Sequence, residues 1–151
     1  MSYKDVLNKL VGEGLLTPSG EVKPHRLIYV FESGKIRELF TKLIDLAGVE
    51  GFYVSTIVGT DLMKDGKIRL DYYVVFLPQE ETIVFRTFLP RENPEIDSLL
   101  DIIPGVLSGE CETYDLLGVV FKGNPALKRG FFVPKDVYEK GIYPLRKDAK
   151  V

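Results

Sequence analysis

Three carboxylates and the only thiol of the chain fall close together, at Glu110, Cys111, Glu112 and Asp115. Paired acids can divide acid–base work, one held protonated and the other charged. A thiol at a helix start can serve as a nucleophile or redox centre once its pKa is lowered. Here the two flanking carboxylates act the other way, and there is no second Cys to resolve an oxidised Cys111. A packing thiol is the plainer role. On a helix, positions 112 and 115 are neighbours and 110 lies on a different face. Ion pairing of these acids with Arg129, Arg146 or Lys147 is more economical than catalysis. His25, between Pro24 and Arg26, reads as a loop residue at a strand start rather than a base. Gly12-Glu13-Gly14 follows a helical stripe instead of a strand and lacks the third glycine of a dinucleotide loop. Neither a phosphate-loop sequence nor a serine nucleophile elbow occurs.

Scarcity sharpens these exclusions. The 151 residues include one Cys and one His. A cluster held by one chain needs about four thiolates, and a structural zinc about four Cys or His ligands. The expectation is therefore no cofactor, no metal and no disulfide. No run approaches the ~20 apolar residues of a membrane span, and Met1-Ser2-Tyr3-Lys4-Asp5 lacks the order of a signal peptide. The chain reads as soluble and cytoplasmic, without direct membrane insertion.

The formal charge of −2 conceals a division. Residues 1–121 hold 12 basic and 19 acidic side chains, net −7, and residues 122–151 hold 8 basic and 3 acidic, net +5. From Glu92 to Asp115 there are seven acids and no Lys or Arg. A basic arm beside an acidic body suits an acidic surface, its own or a partner's. Nucleic acid is not expected, because the body repels phosphate.

These residues need elements to position them. Val6, Leu7, Leu10 and Val11 form a helical stripe closed by Gly12 and Gly14, with Thr17-Pro18-Ser19-Gly20 as a turn. Leu27 to Phe31 reads as an interior strand. Ile36, Leu39, Phe40, Leu43, Ile44 and Ala47 share one helix face, with Ser33 as cap and Gly48 as stop. Strands follow from Phe52 to Val58, Ile68 to Phe76 and Ile83 to Leu89, turning at Lys64-Asp65-Gly66-Lys67 and Pro78-Gln79-Glu80-Glu81. Glu95 to Asp101 reads as one or two helical turns. A short helix from Gly109 to Leu117 is capped by Ser108 and stopped by Gly118. The last thirty residues are punctuated by proline, show no sustained period and should lie extended over something. The fold class is α+β: two layers, a mixed, mainly antiparallel sheet with helices on one face, and an extended C-terminal arm. Residues 1–121 are the core and 122–151 the arm, in one domain unit.

The run Glu110-Cys111-Glu112-Thr113-Tyr114-Asp115-Leu116-Leu117-Gly118-Val119-Val120-Phe121-Lys122-Gly123-Asn124-Pro125-Ala126-Leu127-Lys128-Arg129 resembles the signature of the 30 kDa subunit family of respiratory NADH:quinone oxidoreductase, complex I, which includes the related subunits of membrane-bound hydrogenases. Pro144-Leu145-Arg146-Lys147-Asp148 is similar to the family's terminal motif, and Val58–Asp61 and Tyr72–Leu77 to its preceding strands. Cys111 stands where the family usually has Arg, Asn124 where it has His, and Gly130 where it has an aliphatic residue. The resemblance implies an accessory subunit without cofactor, docked on the hydrogenase-like large subunit of the peripheral arm beside iron–sulfur subunits. It would sit at the cytoplasmic face of the membrane through that complex. The expected partner-binding residues are Glu110, Glu112, Asp115, Arg129, Arg146, Lys147 and Asp148. Among them Glu112 and Asp115 anchor the base of the arm on the body, and the cations reach partner or internal carboxylates. Two alternatives stand beside this: a stand-alone binding or assembly module of the same fold, and an enzyme using Cys111. A docking arm is expected to be mobile in the isolated chain, whereas the arm of a stand-alone module folds back on its body.

Overall fold

Ser2 and Asp5 start the first helix by exchanging hydrogen bonds, the Ser2 hydroxyl accepting from the Asp5 amide and the Asp5 carboxylate from the Ser2 amide. The computed structural model describes residues 1–22 and 25–150, so Lys23, Val151 and the Pro24 that precedes His25 lie outside the described residues. Helix α1 (Tyr3–Gly12) buries Val6, Leu7 and Leu10, and α2 (Ile36–Ala47) buries Ile36, Leu39, Phe40 and Leu43 before ending at Gly48. The start of α2 differs from expectation. Ser33 opens a single 3-10 turn, and Lys35 takes the cap position without a side-chain bond. Backbone bonds from Lys35 to Glu32 and from Ile36 to Ser33 already satisfy the helix entry, so the Ser33 hydroxyl is not needed there.

Five strands build the sheet in the order β1 (Thr17–Val22), β2 (Arg26–Val30), β5 (Glu81–Pro90), β4 (Lys67–Phe76) and β3 (Phe52–Leu62). The β3–β4–β5 meander is antiparallel, and β2 lies parallel to β5. The strand–helix–strand unit is therefore split, with β2 and β3 running the same way on either side of the β4–β5 pair. Thr17–Gly20, expected as a turn, is part of edge strand β1. Pro18 is tolerated at an edge, where its missing N–H breaks no ladder, and a register shift between Pro18 and Gly20 absorbs the irregularity.

Strand β4 shows how the layers form. Ile68, Leu70, Tyr72, Val74 and Phe76 alternate on one face and are all buried, joining the core with α1 and α2. Phe40 packs its ring against those of Tyr72 and Phe85 at 5.7 and 5.8 Å.

Beyond Pro90 the expected helical turns at Glu95–Asp101 are replaced by β6 (Glu95–Asp97), which pairs in parallel with β7 (Val120–Lys122). Ile96 and Phe121 are both buried, and strand alternation lets each point inward between exposed or half-buried neighbours. Helix α3 (Leu107–Leu117) rises from a 3-10 turn at Pro104–Val106, earlier than expected, and leaves Ser108 inside the helix and exposed. The arm is not extended throughout, since α4 (Lys135–Tyr138) interrupts it.

Candidate partner-binding site

Helix α3 divides its acids. Glu110 and Asp115 are buried and Glu112 is exposed, so 112 and 115 do not share a face in effect. The Glu110 carboxylate accepts from the Ser98 hydroxyl at 2.6 Å, the Leu99 amide at 3.0 Å and the Asn124 side-chain amide at 2.9 Å. It joins the β6 end to the start of the arm. Burial pushes the Glu110 carboxyl up, against the pull of these three neutral donors.

Asp115 is held more tightly. Its oxygens accept from the backbone N–H groups of Gly130, Phe132 and Val133 at 3.0, 2.7 and 2.9 Å, and from Arg129 Nε at 3.0 Å. Burial raises its pKa, but the three amides and the guanidinium outweigh that and hold the carboxyl below its usual range. Arg129 also donates to the Ile142 carbonyl and lies 4.0 Å over the Tyr143 ring. Arg146, 5.9 Å from the same ring, donates to the carbonyls of Leu117 at 2.8 Å and Arg91 at 3.2 Å.

A second anchor follows. The Lys147 amide donates to Asp61 at 2.8 Å, and Arg91 grips Asp61 with two bonds of 2.7 and 2.9 Å. Arg91 also bonds Asp148 at 2.8 Å. The Arg91 guanidinium, ahead of an opposing burial penalty, holds the Asp61 carboxyl low, with help from the Lys147 amide. The arm is thus clasped onto its own body, contrary to the expectation of a free arm. The groups its charges need stand within the chain, at Asp115, Asp61 and the end of α3.

Of the seven expected site residues, Glu110 is used between β6 and the arm, Asp115 and Arg129 pair with each other, and Arg146 takes carbonyls. Lys147 engages through its backbone, which leaves its side chain exposed, as Glu112 and Asp148 also are. Glu112 lines a cleft of about 130 Å³ with Thr56, Val58, Leu116 and Leu145. Phe131 and Phe132 stack edge to face at 4.8 Å and are 42% and 57% exposed, on the outside of the segment that wraps Asp115. Asp61, Arg91 and Tyr143 escaped sequence reasoning as site residues. The available signal was Asp61 at the end of the strand resembling the family's.

Cys111 is buried, with Sγ 3.7 Å from the Ala126 carbonyl. Burial, and then the Glu110 charge, push its thiol up, opposite to what a reactive thiolate needs. His25 is fully open and bonds Glu21 at 3.1 Å.

The site is thus an α+β body whose α3 holds a wrapped, aromatic-bearing arm. The chain belongs to the family described as respiratory-chain NADH dehydrogenase, 30 Kd subunit, whose model matches residues 22–151. It is 31% identical over 141 residues to the C subunit of the NADH-quinone oxidoreductase of Moorella thermoacetica, covering 93% of this chain and 85% of that one. It is 25% identical over 150 residues to the C subunit of the F(420)H(2) dehydrogenase of Methanosarcina mazei, covering 98% and 92%. Over 73 residues it is 37% identical to the beta subunit of the membrane-bound hydrogenase of Pyrococcus furiosus, covering 48% and 41%. Its fold is that of a chain in the archaeal membrane-bound sulfane sulfur reductase, with a TM-score of 0.80 at 22% identity over 98% of this chain and 85% of that one. It is also that of the trypsin-resistant fragment of Nqo5, with a TM-score of 0.70 at 23% identity over 84% and 100%. Among the described residues no helix is long and apolar enough to cross a membrane.

Proposed function

We propose that this chain is a structural subunit of a complex-I-like quinone-reducing or hydrogenase-type respiratory assembly. It holds no redox centre and docks on the hydrogenase-like large subunit beside iron–sulfur subunits, at the cytoplasmic face of the membrane. The relatives named above are subunits of such assemblies. One buried Cys and one exposed, surface-bonded His give the chain no ligand set for a cluster, which supports a role in assembly rather than electron transfer.

The observation that carries the docking reading is the exposed Phe131–Phe132 pair on the wrapped arm. Its backbone is fixed by Asp115 while its rings stand uncovered. Preordered aromatics lose little freedom on association and are favoured anchors of interfaces. The body of residues 1–121 supports the arm from 122 onward, and Glu112, Lys147 and Asp148 add exposed charges to the surface. The clasped arm would present a finished surface instead of folding on contact.

Co-purification tests this. A tag on the native chain should recover a hydrogenase-like large subunit, and Phe131→Ser with Phe132→Ser should weaken that recovery without changing the unfolding midpoint. Recovery of the chain without any such subunit sinks the reading. A stand-alone module of the same fold is the second reading, favoured by the arm lying on its own body, and it is what a chain recovered alone would leave.

A further inference from the structure

The sheet has a second face. Residues paired across the strands point the same way, so Arg26, Ile28, Val84, Arg86, Tyr73 and Asp71 belong to one side and the helix-covered core to the other. Helices α1, α2 and α3 pack against the core side, α3 through Ile57 and Gly59. Ile28, Val75 and Val84 are buried yet lie outside the core cluster.

The charge on this face opposes that of the body. Among the described residues, Arg26, Lys67, Arg69 and Arg86 take register positions on this face, and the acid that does so is Asp71, since the strand acids Asp61 and Glu81 pair with core-side Ile68 and Phe76. Arg86 grips Asp71 with bonds of 2.8 and 3.2 Å, and Arg69 lies 3.5 Å from it, so the one acid is spent internally. Arg26 lies over the Tyr73 ring at 5.5 Å and Lys67 over Phe88 at 5.7 Å. Each is an exposed cation held flat on an aromatic base. Tyr53, Val58 and Phe88 add 47%, 40% and 38% exposed apolar surface.

We infer that this face is a second docking surface, distinct from the arm, for an acidic surface of a neighbouring protein subunit that sets carboxylates on Arg26 and Lys67 and apolar side chains between them. Aromatic residues and arginine around a small apolar centre are what protein interfaces enrich. A carboxylate-bearing protein surface matches the cations and also covers the exposed side chains of Tyr53, Val58 and Phe88, which a phosphate backbone would leave in water. The inference rests on the chain being one subunit among several.

The test compares the native assembly with the full chain alone by amine acetylation and by zero-length carbodiimide coupling. Acetylation of Lys67 should slow about tenfold or more on assembly, as an occluded interface position requires. Carbodiimide should join Lys67 to an Asp or Glu of another subunit. Arg26→Glu with Lys67→Glu, both exposed, should lower the unfolding midpoint only slightly, through the two lost cation–π contacts, and lower retention of that subunit about tenfold in moderate salt. Equal Lys67 reactivity in an assembled chain overturns the inference alone. Coupling only to a second copy, or protection removed by nuclease, also overturns it. A chain that never assembles overturns it together with the functional reading.

Discussion

Burial acts on Glu110 and Asp115 in the same sense, yet their carboxyls end on opposite sides of the ordinary range. Glu110 is met by three neutral donors, and Asp115 by three backbone amides and a guanidinium. Their links to stability therefore carry opposite signs. Asp115, and likewise Asp61, with lowered folded pKa values, contribute stability that is present above the unfolded value near 3.9 and lost as pH falls through the folded value. Glu110, with a raised folded pKa, contributes stability that is full below about 4.3 and lost as pH rises through its folded value. Asp115→Asn should cost about 3–5 kcal/mol in urea unfolding at pH 7, because Arg129 loses its buried partner and the new amide faces backbone donors. That penalty should shrink below pH 4. Glu110→Gln removes the charge whose burial is unfavourable, so its stability relative to the parent chain should rise from pH 4 to pH 7. A fall over that interval would contradict the assigned sign.

At the level of elements, α3 is wedged between the sheet and the arm by two glycines. A Cβ on Gly59 would fall 2.3 Å from Leu117 Cδ1, and one on Gly118 3.2 Å from the Tyr143 ring at a φ of +80°. Gly118→Ala should cost about 1–3 kcal/mol through the left-handed backbone and the displaced ring. It should also speed hydrogen exchange at the Leu145 and Lys147 amides, which bond Leu116 and Asp61. Gly59→Ala and Leu117→Ala should be non-additive by about 0.5–3 kcal/mol in a double-mutant cycle, since the second relieves the clash of the first. The elements legible in the sequence were those whose own period identifies them: α1, α2 and the meander, where Ile68, Leu70 and Tyr72 alternate visibly. Strands β6 and β7 were not, because each is three residues long and has meaning only beside the other. The same holds at the site. That the acids of α3 pair with Arg129, Arg146 or Lys147 was legible from charge, but which acid takes which cation was not, and the grip of Arg91 on Asp61 and Asp148 spans separations of 30 and 57 residues that no local pattern encodes.

Over the whole molecule, the −7 and +5 halves meet within the chain before any partner is present. Hydrogen exchange on the isolated chain should therefore show Leu145, Lys147 and Phe132 already protected, and free exchange at all three would show that the arm orders only on a partner. The clasp also has an optical consequence. The chain has eight Tyr and no Trp, so its ultraviolet emission belongs to tyrosine alone. Tyr143 lies close to two guanidiniums, with Arg129 at 4.0 Å and Arg146 at 5.9 Å from its ring. The difference between the parent chain and Tyr143→Phe, followed through a urea titration, isolates the signal of one phenol, and that phenol reports when the arm lets go.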